Sequence, residues 1–381
     1  MDFASKRRKP GYNVIHNRSL KYVDYPVFFI VTALLMLGLV SLFSASSLYA
    51  ANKGLDSLFY TQKQALFILL GFGLMAGAAK LDLERVRPYL KPAVAVTLLL
   101  LVVTLFMPKV AGVRRWIPLG FMKLQVSEFA KIILVLYLSD FFDRNASCIN
   151  SDWKRMAKPL GVIVLTLGLI AAQPDLGTPA LLFGVALFMF FAAGMKLRYL
   201  LAPLGVGLLI LIEELARKPY RIQRLKNFIS PWQDASGTGY QQVQALLAVG
   251  SGGWFGTGLG ASKLKLMYLP EPHTDFIFPV VAEELGLLGG LLITALFAAL
   301  LVKGARIARN APSHYTALAA LGLTLCIVLQ AFFNIAMTIG LLPTKGIPLP
   351  FFSYGGSSIW ASMIMVGLIL NISAHRSGSR W

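Results

Sequence analysis

HTDFIFPVVAEELGLLGGLLITALFAALLV, residues 273–302, places a histidine and an aspartate directly before a long apolar run. From Phe276 to Val302 the run is broken only by Glu283, Glu284 and Thr294. About 20 apolar residues in an α-helix cross a hydrocarbon core, so this stretch reads as a membrane span. His273 and Asp275 are costly so close to lipid, and the question is what needs a carboxylate at the mouth of a membrane helix.

The rest of the chain repeats the pattern. Its 381 residues are 56% hydrophobic and only 14% charged, with a mean hydropathy of +0.67. A soluble chain is usually about a quarter charged. The spans predicted near 26–46, 63–79, 92–107, 125–143, 159–173, 176–193, 199–215, 276–302, 315–340 and 356–374 give about ten transmembrane helices. The fold class is therefore an all-α polytopic membrane protein, since such runs do not fit the ~10-residue alternating strands of a membrane barrel. Residues 1–25 form a polar, basic N-terminal arm, 26–374 one membrane domain, and 375–381 a C-terminal tail. The first span is expected to be a retained anchor, because the basic arm before it is too long for a cleavable signal. Two cysteines, Cys148 and Cys326, exclude a disulfide framework, and four scattered histidines offer no metal-ligand spacing.

Lysine and arginine gather in alternate loops, which by the positive-inside rule puts both termini in the cytoplasm. Much of the net charge of +19 is thereby topological, and no nucleic-acid motif accompanies it. Two basic clusters oppose the rule. GVRRWI (112–117) and RKPYRIQRLKNF (217–228) fall outside, with Arg114, Arg115, Arg217 and Arg221 among them. They suit anionic lipid headgroups, or a phosphate or pyrophosphate ligand held by arginine forks. The second lies in the longest loop, 216–275, between the seventh and eighth helices. There YQQVQALLAVG (240–250) has the spacing of a helix lying on the membrane surface. GSGGWFGTGLG (250–260) reads as a flexible turn covering a site, and it lacks the ending of a P-loop.

Ionisable residues inside the membrane are rare and usually functional. Glu128 and Lys131 are three apart on one helix face and suit either a structural pair or a binding role. Asp175 follows a proline at the helix break QPDLGT and suits a cap of the next helix. Asp275 itself could also be only a cap. In GLLPTKGIPLPFFSYGGSS (340–358), Pro343, Pro348 and Pro350 forbid a continuous helix. Such backbone at membrane depth needs protein cover or a water-filled cavity, and Lys345 adds a cation to it.

On these pieces the chain resembles the SEDS family (shape, elongation, division and sporulation). The matching motifs are GVRRWI, QVSEFAK, QPDLGT, LPEPHTDFIFPVVAEELG and LLPTKGIPLPFFSYGGSS, which cover nearly the whole chain in order. The last is more similar to the division-type member than to the elongation type. The resemblance implies a SEDS fold and a peptidoglycan glycosyltransferase that polymerises lipid II on the outer face of the bacterial inner membrane, at the division septum. It implies that Asp275 is the catalytic residue and that Trp116 and the pair Glu128 and Lys131 are functionally important. His273, Lys345 and Ser353 lie within matching motifs and join Arg114, Arg115, Trp116, Arg217 and Arg221 as substrate-binding candidates. Implied partners are the growing lipid-linked glycan, a class B penicillin-binding protein (a single-span transpeptidase), three small bitopic divisome proteins and membrane lipid.

The chemistry suits that assignment. An inverting transfer from a lipid pyrophosphate to a sugar 4-hydroxyl needs one base and positive charge for the leaving group. It has no need of the paired carboxylates of a retaining glycosidase. Asp275 would be the base, with the arginines and Lys345, or a divalent cation such as Mg or Mn, at the pyrophosphate. The main alternative is a lipid II flippase, to which the broken segments at 173–178 and 340–358 would be natural. A flippase should carry binding charge on both faces, whereas the unexplained charges here concentrate on the outer one.

Overall fold

The computed structural model describes residues 24–110, 112–120, 122–147, 149–150, 153–201, isolated positions between 204 and 227, and residues 228–235, 237, 239–262 and 273–375. In chain order the helices are α1 (Tyr25–Asn52), α2 (Phe59–Ala79), a short α3 (Leu83–Val86) and α4 (Leu90–Phe106). A hairpin of β1 (Trp116–Pro118) and β2 (Lys123–Gln125) follows, antiparallel, with Trp116 opposite Gln125. Then come α5 (Val126–Arg144), α6 (Trp153–Ala172), α7 (Gly177–Ala192), α8 (Tyr240–Ser251), α9 (Ile277–Arg309), α10 (His314–Thr338) and α11 (Gly356–Ala374). Among the described residues, nine helices coincide with nine of the expected spans; the tenth, 199–215, lies largely outside them. Seven helices in the described residues are long and apolar enough to cross a membrane. Of the other two, α7 is apolar but shorter, and α5 carries Glu128, Lys131, Asp140 and Asp143 within its length.

Burial sorts the helices into centre and rim. In α10 and α11, 72% and 83% of the most apolar stretch is buried, against 28% and 22% in α2 and the α3–α4 segment. The rim exposes Phe29, Leu69, Leu99 and Phe106, the apolar side chains that lipid solvates without cost. Small residues let the backbones approach, as membrane helices require in the absence of a hydrophobic drive between them. A Cβ at Gly367 of α11 would lie 2.4 Å from the Met75 carbonyl of α2, and one at Gly71 would lie 2.3 Å from Met363 Sδ.

One end of the bundle is closed by ion pairs. Arg87 donates to Asp140 (2.7 Å) and Asp143 (2.6 Å) of α5 and to Glu84 (2.9 Å), while its guanidinium lies 4.6 Å from the Tyr315 ring of α10. At the same end the first and last helices meet, through Asp24 N–H to Ser373 Oγ (3.1 Å) and Lys303 to Asp24 (3.9 Å). Asp275 therefore sits at the other end, since it precedes α9 and Lys303 is near that helix's finish.

The helix α9 is broken at Gly286, whose φ of 68° and ψ of −168° no helix contains. The break frees the Glu283 and Glu284 carbonyls and the Leu287 and Leu288 amides. The glycine-rich segment after α8 takes all four. Thr257 N–H donates to Glu283 O (2.9 Å) and Gly258 N–H to Glu284 O (3.1 Å); Leu287 N–H donates to Gly253 O (2.9 Å) and Leu288 N–H to Trp254 O (3.2 Å). Residues 252–258 are thus a splint on a membrane helix, not the flexible cover expected. Likewise α8 does not lie free on a surface, because Ala245 and Val243 are buried and α8 packs on α9. Two hydroxyls from outside the splint serve the buried side chains of Glu283 and Glu284: Ser262 Oγ donates to Glu283 (2.5 Å), and Ser44 Oγ of α1 donates to Glu284 (2.5 Å).

The crossing leaves no space for a side chain. A Cβ at Gly286 would lie 2.3 Å from Gly256 N, and its dihedrals belong to a region open essentially to glycine alone. Gly286→Ala should therefore lower stability by more than ~3 kcal/mol, combining ~1–3 kcal/mol of backbone strain with the clash. Gly54→Ala is the control: its φ is +70° but nothing lies within 4 Å, so only the ~1–2 kcal/mol left-handed cost applies. Melting temperatures of both variants in detergent check the difference; equal losses would show that the splint contact is not tight.

Candidate active site

The site forms where three irregular segments meet at the end of the bundle opposite the Arg87 cluster. The first, 273–275, leads into α9. The second, 340–355, joins α10 to α11. The third, 173–175, breaks the chain between α6 and α7. Their meeting point is Gly346, which is exposed. A Cβ on Gly346 would lie 3.2 Å from Asp275 Oδ2 and 3.7 Å from Arg115 Nη1. A carboxylate and a guanidinium thus flank one open strip of backbone, with Lys345 beside it in the chain.

Each charged group is held from behind. Arg115 donates through Nε to Gln173 O (3.0 Å) and through Nη2 to Pro174 O, and its Nη1 lies 4.0 Å from Asp175 Oδ2. Asp175 caps α7: Oδ1 accepts from the Gly177 and Thr178 amides (3.0 and 3.1 Å) and Oδ2 from Thr178 Oγ1 (2.8 Å). Gln173, itself buried, donates to Thr104 Oγ1 (2.5 Å) of α4. The segment before α9 is fixed through its carbonyls. Tyr354 N–H donates to His273 O (3.0 Å), Ser353 Oγ to Thr274 O (2.7 Å), and Asn334 Nδ2 to Asp275 O (2.8 Å). Ser353 also accepts from Leu349 N–H (2.8 Å), and Gln64 of α2 donates to Ser353 O (3.1 Å).

Glu128 and Lys131 are buried and paired at 2.8 Å. Lys131 also donates to Gln330 Oε1 (2.6 Å), and Gln330 donates to Pro348 O (3.0 Å). The pair therefore reaches the site through a side-chain amide and the 345–348 backbone. His273 is buried among Tyr60 (4.7 Å), Tyr49 (4.8 Å) and Tyr354 (5.9 Å between ring centroids). Burial, assisted by Lys53, pushes its imidazole down to about 4, so it is neutral near pH 7. Its Nδ1 has no hydrogen-bond partner among the described residues.

Not every candidate converges. Arg114 is exposed and turns away, donating to Leu105 O at the end of α4 (2.9 Å). Trp116 is half-buried in β1, on the hairpin that Ser357 ties to α11 by accepting from Gln125 N–H (3.0 Å) and donating to Lys123 O (3.0 Å). Arg217 and Arg221 lie outside the described residues. Four buried amides that hold the segments of the site went unread in the sequence: Gln64, Gln173, Gln330 and Asn334. The signal was present, because polar side chains in apolar spans are rare, and Gln330 and Asn334 are four apart on one face.

Fold and site together define a multi-pass helical membrane protein with an acid and an arginine converging at one end of the bundle. Residues 25–378 match the family described as cell cycle protein, of the FtsW, RodA and SpoVE types. The chain belongs to that family, the one its motifs resemble. It is 38% identical over 356 residues to stage V sporulation protein E of Bacillus subtilis, covering 92% of this chain and 97% of the relative. It is 36% identical over 366 residues to the probable peptidoglycan glycosyltransferase FtsW of Geobacter metallireducens, covering 95% and 97%. Among solved structures it is similar to a chain of a peptidoglycan synthase complex that coordinates polymerization and crosslinking, with a TM-score of 0.78 and 27% identity, covering 94% of this chain and 99% of that one.

Two stability measurements test the buried ionisable groups. Glu128→Ala leaves Lys131 buried without its counter-ion and should cost ~3–5 kcal/mol. Adding Lys131→Met should restore part of that loss; a double variant no more stable than the single one would show that the two are not an energetic pair. For His273, the unfolded chain takes up its proton near pH 6.5 and the folded chain only near 4. Stability should thus be intact above pH 6.5 and fall as pH drops towards 4, by roughly 3 kcal/mol at the limit. His273→Phe should flatten that part of the melting-temperature profile between pH 7 and 4, and an unchanged profile would remove the assignment.

Proposed function

We propose that this protein is a peptidoglycan glycosyltransferase of the division type, polymerising lipid II on the outer face of the bacterial inner membrane at the septum. The observation that carries the reading is the convergence of Asp275 and Arg115 on the open strip at Gly346, in a chain whose relatives bear that activity in their names. Asp275 is the general base. It takes the proton of the acceptor sugar's 4-hydroxyl as the oxygen bonds to the donor's anomeric carbon. The bond from that carbon to the pyrophosphate oxygen breaks, and undecaprenyl pyrophosphate departs. Positive charge facing the leaving oxygens lowers the barrier without reorganising, because it is already held in place. Arg115 supplies it: Nε and Nη2 are spent on the Gln173 and Pro174 carbonyls, and Nη1, 4.0 Å from Asp175 Oδ2, lies beside the strip, 3.7 Å from where a Gly346 Cβ would stand. Lys345 adds a second cation from the strip itself.

Arg114, Arg217 and Arg221 are assigned to the outer headgroup layer or the substrate's pyrophosphate, and Trp116, His273 and Ser353 to the wall of the site. Among the described residues no group of three or more His, Cys, Asp or Glu side chains is placed to hold a metal ion. A divalent cation at the pyrophosphate would accordingly take most of its ligands from substrate oxygens and water, the usual mode of magnesium. The working unit includes a class B penicillin-binding protein and the bitopic divisome proteins, and both termini are cytoplasmic. Similarity to a chain of a complex that couples polymerization to crosslinking supports the first of these.

Asp275→Asn keeps the shape of the side chain and removes its basicity. Glycan synthesis from purified lipid II should fall ~10²–10⁴-fold, the usual share of a general base, with melting temperature unchanged. Near-normal synthesis by the folded variant would remove the assignment. Lipid II translocation without polymerisation by the wild-type protein would favour the flippase instead.

A further inference from the structure

Asn334 of α10 is fully buried, and its Nδ2 makes two short hydrogen bonds, to Asp275 O (2.8 Å) and to Ile347 O (2.7 Å). Those carbonyls belong to the two segments that carry opposite charges of the site. One holds Asp275; the other holds Lys345 and the Gly346 strip beside which Arg115 Nη1 lies. Neither segment is helical at these points, and the second contains Pro343, Pro348 and Pro350. Neither carbonyl is bonded within a helix; that of Ile347 is buried and that of Asp275 part-buried, and a buried carbonyl without a donor costs ~1–3 kcal/mol. One turn earlier on the same face, Gln330 donates to the neighbouring carbonyl of Pro348 (3.0 Å). Gln330 holds only the strip, whereas Asn334 bridges strip and base.

We infer that Asn334 is a positioning residue: one planar amide fixes the distance between the Asp275 backbone and the 345–347 strip, and so between the general base and the charge that receives the leaving group. The geometry favours this over a plain packing role. The two donor hydrogens of one amide are a fixed short distance apart, so moving either segment alone breaks a bond. The inference rests on the glycosyltransferase reading above. It goes beyond that reading because it places the spacing of the site on a residue that touches no substrate.

Asn371 provides a matched control. It is also buried, and its Nδ2 also donates to two backbone carbonyls, Ala79 O and Leu81 O (2.7 Å each), at the end of the bundle away from Asp275. Asn334→Leu and Asn371→Leu each remove the same pair of bonds. The full chain, purified with its transpeptidase partner, would be assayed with purified lipid II well below the melting temperature of each variant. Asn371→Leu should lower the melting temperature and leave kcat within about twofold. Asn334→Leu should lower kcat ~10–100-fold with KM within a few-fold, because displacing reacting groups by about 1 Å costs that much. Asn334→Ser, which keeps one donor in a smaller side chain, covers the case in which the leucine variant does not fold; its kcat should fall less but still beyond the Asn371 control. Equal kcat in Asn334→Ser and Asn371→Leu, or a loss confined to melting temperature, would overturn the inference. Absence of polymerisation by the wild-type protein would instead overturn the reading it rests on.

Discussion

Backbone that leaves the helical path inside a membrane has no water to bond, and this constraint organises the whole molecule. Among the described residues, three breaks occur where side chains or neighbouring backbone replace the missing partners. At Gly286 the splint 252–258 completes the ladder of α9. At 173–175 the Arg115 guanidinium and the Asp175 carboxylate serve. At 345–355 the amides of Gln64, Gln330 and Asn334 serve. Two of these breaks meet at Gly346. The site is therefore not an addition to the fold. It sits where the fold has had to supply polar groups in any case.

The same constraint explains why the buried charges are indirect. Glu128 and Lys131 do not stand beside Asp275. They orient Gln330, and Gln330 holds the strip. A cation neutralised by a carboxylate at 2.8 Å can remain in a region of low dielectric, and its remaining hydrogens then order a neutral amide. Charge is thereby converted to geometry several residues away. At the opposite end Arg87 does similar work, gathering Asp140, Asp143 and Glu84 so that helices distant in sequence close on one another.

The catalytic proposal requires a base and a cation on one open surface, both held still. Asp275 and Arg115 come from positions 160 residues apart in the chain, and each is fixed through backbone carbonyls by groups that need not contact substrate. Preorganisation of this kind is what makes charge effective at a transition state. His273, kept neutral by burial in its tyrosine cluster, does not titrate near neutrality. It adds no competing positive charge beside the base.

Much of the architecture followed from the amino-acid sequence alone. Runs of about 20 apolar residues have one stable form in lipid, so the number and bounds of most helices were readable. Pro343, Pro348 and Pro350 announced the broken segment, and Asp175 and Asp275 at helix starts marked two of the segments that converge, because both kinds of residue are costly where they stand. The tertiary structure decided what pairs with what. That Arg115 turns to Asp175 while Arg114 turns to Leu105 is a matter of two adjacent side chains leaving a hairpin on different sides. That GSGGWFGTGLG splints α9 instead of covering a site depends on carbonyls freed at Gly286, some 30 residues later. Local propensity has no term for such pairings. They are settled only when the helices pack and each unsatisfied backbone group finds the nearest donor or acceptor.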